Sequence, residues 1–102
     1  MIQLTKKVIG YDNQQDRTKF NSNTTFAGFT MTFENGYTIS IQFGMGNYCE
    51  NRFESKPQSK DVEIAVFDKD SKFYQLPSMT DDVKGYVNMN ELADYIQQVK
   101  NI

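Results

Sequence analysis

Seven apolar residues alternate with polar ones along two neighbouring segments of the chain: Phe29, Met31, Phe33, Tyr37, Ile39, Ile41 and Phe43. This period of two predicts two β-strands, each with one buried face. A two-residue turn at Asn35-Gly36 would send the two apolar sets to opposite faces of the sheet. We therefore predict a three-residue loop, 34–36, with Gly36 as a bulge in the left-handed region. This loop pairs Phe33 with Tyr37 and places all seven side chains on one face.

The rest of the chain predicts further strands around this hairpin. Residues 2–11 favour a short strand, and residues 12–25 favour a polar loop. A second hairpin is predicted from Val62 to Leu76, because apolar residues alternate up to Val66 and the sequence "DKDS" is typical of a turn. The segment 83–87 predicts a last short strand.

Strong signals for a helix follow at the C-terminal end. Asn88 is suited to be the N-cap and Glu91, three residues later, completes a capping box. Val87 and Leu92 have the spacing of a hydrophobic staple. The predicted apolar face repeats at helical spacing and consists of Met89, Leu92, Ile96 and Val99.

These elements predict an α+β fold: an antiparallel, meander-like sheet of four to six strands with one C-terminal helix packed on one face. With 102 residues the chain is long enough for a single domain, 1–102. Its predicted parts are an N-terminal strand and polar loop over 1–25, β-hairpins over 26–87 with a long connection at 44–61, and the helix at 88–101.

Charge and cysteine content narrow the possible partners. The formal net charge is −2 and the basic residues are scattered, which argues against binding of duplex nucleic acid. A single cysteine allows no internal disulfide, and no secretory or membrane-spanning segment is recognisable in the sequence. We therefore expect a reducing, cytoplasmic setting and no membrane partner.

The chemistry of the side chains argues against an enzyme. The chain contains no His, so Cys49 lacks the usual base that activates a nucleophile. The closest acidic pairs, Asp68 with Asp70 and Asp81 with Asp82, are explained as turn residues. We therefore expect no catalytic residue, no metal and no cofactor.

The segment "FGMGNYCENR" contains the candidate ligand site. Two glycines directly after a strand are able to present consecutive backbone N–H groups to an anion. The neighbouring side chains add amide donors, a guanidinium group and an aromatic ring that stacks on a base. The predicted ligand-binding residues are Gly44, Gly46, Asn47, Tyr48, Asn51 and Arg52.

A purely structural interpretation of the same segment is also open. In this interpretation the glycines only turn the strand into the connection 44–61, and Tyr48 and Cys49 pack beneath it as a small additional core. The length of the connection favours a functional role, because long irregular connections in small domains are usually functional or disordered.

The runs "TFENGYTISIQFGMGNYCENR", "EIAVFDKDSKFY" and "VKGYVNMNELADYI" resemble small accessory proteins of tailed bacteriophages and prophages. The resemblance covers roughly Phe29 to Val99 and brings no catalytic residues with it. It implies a phage protein that acts in the host bacterial cytoplasm. Small phage proteins without catalytic apparatus commonly bind host components, and countering bacterial immunity is a leading role among them.

Two binding functions follow from this setting. The first is a sponge that sequesters a nucleotide-derived immune signal, which the glycines, Tyr48 and Arg52 favour, although the chain has only two Arg. The second is an inhibitor of a host defence protein, such as an anti-CRISPR, that uses an exposed sheet face or edge. An enzyme ranks third and a structural or packaging role in the phage ranks fourth.

We also expect a homo-oligomer, a dimer or larger. One helix covers only one face of the sheet, and three aromatic residues, Phe67, Phe73 and Tyr86, are predicted to lie outside the main core.

Overall fold

The computed structural model describes residues 1–8, 24–44, 46–50, 52–53 and 58–102. In these residues five strands form one antiparallel sheet in the order in which they follow one another along the chain. The elements are β1 (Ile2–Val8), β2 (Thr24–Thr32), β3 (Thr38–Gln42), β4 (Asp61–Phe67), β5 (Val83–Asn88) and α1 (Met89–Lys100). The predicted α+β meander with a C-terminal helix on the sheet is confirmed.

The register of the first hairpin is the predicted one. Met31 pairs with Ile39, and the N–H of Phe33 donates to the carbonyl of Tyr37 at 2.9 Å. Gly36 has a φ of 85°, in the left-handed region that the three-residue loop requires. All seven alternating apolar residues belong to the core or pack directly against it.

The predicted second hairpin is wrong beyond its turn. Phe73 makes a single bridge to Phe67, and β4 then pairs with β5 instead. The chain leaves the sheet because Leu76 enters the core, and Pro77 has no N–H to continue a ladder. The strand predicted at 83–87 is confirmed as β5.

The ends of the predicted loops also shift. The strand expected within 2–11 is β1, whereas Thr24 and Thr25, predicted as loop, already belong to β2. Residues 12–23 of the predicted polar loop lie outside the described residues. Of the connection predicted at 44–61, the described residues 44, 46–50, 52–53 and 58–60 lie outside the strands, and Asp61 already begins β4. Residues 45, 51 and 54–57 of this prediction lie outside the described residues.

The helix begins as predicted. The N–H of Glu91 donates to Oδ1 of Asn88 at 2.9 Å, and the N–H of Asn88 donates to Oε1 of Glu91 at 3.2 Å. The prediction that Met89 faces the core is wrong: it lies where β5 turns into α1 and is 47% exposed. Tyr95 is buried instead, together with Leu92 and Val99.

The helix packs mainly on β3, β4 and β5, so the same face of the sheet is less covered over β1 and β2. Over these two strands Ile2 pairs with Met31 and Leu4 pairs with Phe29, so the apolar row continues into β1. Ile2 is 66% exposed and Leu4 is 62% exposed. The hydrophobic core is therefore centred beneath the helix and thins out towards β1.

Candidate functional site

The connection between β3 and β4 is held against the sheet by two carboxylates of β4. The N–H of Tyr48 donates to Oε2 of Glu63 at 2.8 Å, and the N–H of Glu50 donates to Oδ1 of Asp61. Asp61 and Glu63 alternate with the core residue Val62, so both project from the face opposite the helix. The connection therefore lies on that opposite face.

The same connection is also bound to β5. The N–H of Tyr86 donates to the carbonyl of Tyr48 at 2.9 Å. A Cβ atom built on Gly85 would lie 2.4 Å from Cβ of Tyr48, closer than real Cβ atoms come to other heavy atoms. Gly85 is thus the residue that lets the connection approach β5 so closely.

The backbone N–H groups expected to form an anion nest are engaged within the molecule. The N–H of Gly44 donates to Sγ of Cys49, and the N–H of Gly46 donates to the carbonyl of Arg52 at 2.8 Å. The N–H of Asn47 donates to the carbonyl of Gly44. Further along, two amides of the segment do bind anions, but these are the carboxylates of Asp61 and Glu63 described above.

The predicted site residues separate into buried and exposed groups. Gly44 and Asn47 are buried, and the side-chain amide of Asn47 donates to the carbonyl of Phe43 at 2.9 Å. Gly46 is exposed and Arg52 is half-buried, while Asn51 lies outside the described residues. The buried members hold the segment in shape and do not face solvent.

Cys49 and Tyr48 differ in the same way. Cys49 is buried, and its thiol accepts the N–H of Gly44, so the interpretation as a small additional core fits this residue. Tyr48 is 49% exposed and does not fit it. The segment therefore has an inner side that packs and an outer side that faces solvent.

The outer side carries a cluster that we name the aromatic–arginine cluster: Tyr48, Arg52 and Phe53. Cζ of Arg52 lies 4.6 Å from the centroid of the Tyr48 ring and 5.2 Å from that of the Phe53 ring. These distances are those of cation–π contacts. Phe53 is 81% exposed, so a large apolar ring faces solvent beside a guanidinium group.

Sequence reasoning missed Phe53 and Tyr86. Phe53 follows Arg52 directly in a polar segment, and this isolated aromatic residue was the available signal. Tyr86 is exposed and bonded to the backbone of Tyr48, which places it next to the cluster. Only the tertiary contact reveals this proximity, because the two tyrosines are far apart in the sequence.

Tyr86 has a strained backbone. Its φ is 55°, and it lies where the register between β4 and β5 shifts. A non-glycine residue in the left-handed region costs roughly 1 kcal/mol, and such strain persists only where surrounding contacts hold it. The bond to Tyr48 is such a contact, so the local geometry of β5 is coupled to that of the cluster.

On the helix side of the sheet, two titratable groups influence each other. Nζ of Lys84 donates to the hydroxyl oxygen of Tyr95 at 3.0 Å. This hydrogen bond raises the pKa of Lys84 above its ordinary value and lowers the pKa of Tyr95 below its ordinary value. The pair joins β5 to α1 and lies on the opposite face from the cluster.

Two grooves of the surface have linings that do not include the cluster. One of about 610 Å³ lies between the C-terminal half of α1 and the segment 74–77, and one of about 300 Å³ is lined by Glu50 and residues 58–60. Neither is lined by Tyr48 or Arg52. Within the described ranges, no three side chains of His, Cys, Asp or Glu are grouped in a way that would hold a metal ion.

No family model, no curated protein and no solved structure matches this chain. In the described part of the chain, no helix has both the length and the hydrophobicity needed to cross a membrane.

Proposed function

We propose that this protein is a non-enzymatic binding protein that recognises another protein through the aromatic–arginine cluster. The observation that carries the proposal is the position of Arg52 against the rings of Tyr48 and Phe53, with Phe53 almost fully exposed. Tyr, Phe and Arg are enriched in protein interfaces, and Tyr and Arg are enriched among the residues that dominate binding energy.

The way in which the cluster is held supports this proposal. Two carboxylates of β4 bind the backbone on either side of Cys49, and Tyr86 binds the carbonyl of Tyr48. A surface that is already ordered loses less conformational entropy when it binds. The cluster is therefore suited to act as an anchor that keeps its shape in the free protein.

The resemblance to phage accessory proteins gives the proposal its setting. In that setting the partner is a host defence protein, and binding blocks its function, as an anti-CRISPR blocks its target. The preference for a protein partner over a small ligand rests on shape. The rings of Tyr48 and Phe53 are exposed and line neither of the two grooves, whereas a ligand site normally encloses most of its ligand in a cleft.

Sequestration of a nucleotide-derived signal is the second candidate function. It is favoured by the exposed ring of Tyr48 beside the guanidinium of Arg52, because aromatic rings stack on bases and Arg binds phosphate. The N–H groups of Gly44 and Gly46 already have partners in the segment, so phosphate binding would rest on Arg52. Enclosure of the ligand would also require a second surface opposite the cluster.

The test of the first function is a quantitative pull-down from lysate of infected host bacteria. The immobilised proteins are wild type, Phe53→Ala, Arg52→Ala and, as a matched control, Phe73→Ala, which truncates an exposed ring that packs on Phe67 elsewhere on the sheet. We expect one partner that wild type and Phe73→Ala retain equally. Loss of an anchor residue typically costs about 2 kcal/mol or more of binding free energy. The affinity of this partner for Phe53→Ala and for Arg52→Ala should therefore fall about 30-fold.

Equal retention of every bound protein by all four proteins would refute the cluster as the binding surface. The second function is tested in parallel by native mass spectrometry and by a thermal-shift screen with linear and cyclic nucleotides. A rise in melting temperature that Tyr48→Ala and Arg52→Ala abolish, without a cluster-dependent protein partner, would establish sequestration instead.

A further inference from the structure

Among the described residues, strand β1 lies at the edge of the sheet. The pair of Met1 with Thr32 shows which backbone groups of β1 point towards β2 and which point away. The N–H of Thr32 donates to the carbonyl of Met1 at 2.8 Å, and the amino group of Met1 donates to the carbonyl of Thr32 at 2.7 Å. In an antiparallel ladder this pattern repeats at every second residue. Gln3 therefore also faces β2, whereas the N–H and C=O groups of Ile2 and Leu4 point away from the sheet.

This edge lacks the features that usually prevent strand addition. Residues 2–5 contain no proline and no charged side chain, and the register is regular until the shift between Thr5 and Lys6. Ile2 and Leu4 are both largely exposed. Natural edge strands normally carry charges, prolines or bulges that block pairing with another chain.

We propose that β1 pairs with β1 of a second copy of this chain, antiparallel and centred on Gln3. Ile2 of each copy then lies opposite Leu4 of the other, and the outward N–H and C=O groups of both residues are satisfied. The two copies are related by a two-fold axis perpendicular to the sheet, which is the isologous arrangement of most homodimers. The two sheets join into one.

The distribution of charge selects this register. Pairing centred on Gln3 involves only neutral side chains, and the lysines at 6 and 7 fall beyond the paired segment. Pairing centred on Lys6 would set like charges directly opposite each other, which is destabilising. The register shift after Thr5 also ends the regular edge before the lysines.

The apolar surface is complementary in the same register. Within one copy, Ile2 lies beside Met31 and Leu4 lies beside Phe29. In the dimer Ile2 of each copy meets Leu4 of the other, so the apolar row through Ile2 and Met31 of one copy continues into the row through Leu4 and Phe29 of the other. Cross-strand apolar contacts of this kind are the unit of sheet stabilisation.

The interface is small. Pairing over about five residues buries less than the roughly 800 Å² per partner of a standard interface. We therefore expect a concentration-dependent dimer with a Kd on the order of 10 to 100 µM. This inference does not depend on the proposed function.

The first test is the disulfide that the register permits. Residues opposite each other in a non-hydrogen-bonded antiparallel pair have Cα atoms about 4.5 Å apart, within the range that a disulfide bridges. Gln3→Cys should therefore form a disulfide-linked dimer under mild oxidation. Thr30→Cys, which pairs with Gln3 one strand further in, is the matched control and should remain monomeric on a non-reducing gel.

The second test is sedimentation velocity over a range of concentrations. Wild type should show a concentration-dependent dimer, and Leu4→Lys should remain a monomer at every concentration. Met89→Lys, which places the same charge on an exposed apolar residue of α1, should behave as wild type. The proposal is overturned if Gln3→Cys is oxidised no faster than Thr30→Cys, or if Leu4→Lys dimerises as wild type does.

Discussion

At one edge of the sheet, β5 is hydrogen-bonded to the connection and to the helix, whereas at the other edge, among the described residues, nothing pairs with the outer side of β1 along residues 2–5. The N–H of Tyr86 on β5 donates to the connection at Tyr48, and Lys84 on β5 donates to Tyr95 of the helix. On β1, Ile2 and Leu4 are exposed and direct their backbone groups away from the sheet. The comparison teaches that the candidate site and β5 are one structure, because the connection that carries the aromatic–arginine cluster lies against β5 and accepts the N–H of Tyr86.

The strand pair at each edge, β1 with β2 and β4 with β5, also has one glycine at its shift in register. Gly28 faces Thr5, where the pairing of β1 with β2 shifts, and Gly85 lies in β5, where the pairing with β4 shifts. The two glycines are required for different reasons. Gly28 permits a backbone conformation and a close approach to β3, and Gly85 permits the approach of the connection.

The largest expected effect is that of Gly28→Ala. Gly28 has a φ of 126°, and an added Cβ would lie 1.9 Å from the carbonyl oxygen of Ile41. Since both the conformation and the space exclude a side chain, we expect a loss of more than about 3 kcal/mol in the free energy of unfolding. Urea denaturation monitored by circular dichroism measures this loss. Gly46→Ala, with a φ of 88° but no atom of the described residues within 4 Å of the new Cβ, should lose only about 1 kcal/mol. Equal losses for the two variants would contradict the explanation.

A smaller effect is expected for Gly85→Ala. The new Cβ would overlap Cβ of Tyr48 and push the connection away from β5, which should cost about 1–3 kcal/mol in urea denaturation. Hydrogen exchange at the amide of Tyr86 should become faster, because its acceptor moves away. In a Tyr48→Gly background the same substitution should cost clearly less, and an unchanged cost would show that the overlap is not the cause.

The smallest effect is expected for Tyr95→Phe, which removes the bond between β5 and the helix. At neutral pH we expect a loss of about 1 kcal/mol, the net value of a hydrogen bond. Because the pKa of Tyr95 is lowered by Lys84, the stability difference from wild type should widen as the pH rises towards the usual tyrosine range. It should shrink again as the pH rises from the ordinary lysine pKa to the raised pKa of Lys84, because that group loses its charge over this range.

Thermal unfolding across this pH range measures the Tyr95 effect, with Tyr74→Phe, a half-buried tyrosine beside the same core, as the control. A difference from wild type that does not change between neutral and alkaline pH would contradict the assigned role of Lys84.

The parts of the fold that were predicted correctly depend on residues that are close together in the sequence. The loop at Gly36 and the capping box of Asn88 and Glu91 each depend on residues within four positions of one another. The strand that pairs with β4 was predicted wrongly because it depends on distant residues. Leu76 and Met79 fill the core beneath the helix, and this draws the chain out of the sheet before β5 returns.

The sequence assigned Tyr48 and Arg52 to one candidate site, and the structure brings their side chains together. That these residues bind a ligand stays a prediction. The carboxylates that occupy the amides of the segment belong to Asp61 and Glu63, more than ten residues later, and no local pattern indicates them. The role of Phe53 depended on exposure, which the sequence does not reveal.

The order of the strands places the open edge and the cluster on opposite sides of the molecule. In a dimer joined at β1, the two β5 strands would be nine inter-strand spacings apart, roughly 40 Å, and the two clusters would be related by the two-fold axis. Such a dimer is bivalent. A target that repeats its binding site at a matching distance would be held with an avidity far above the affinity of one cluster, whereas a target with a single site would gain nothing.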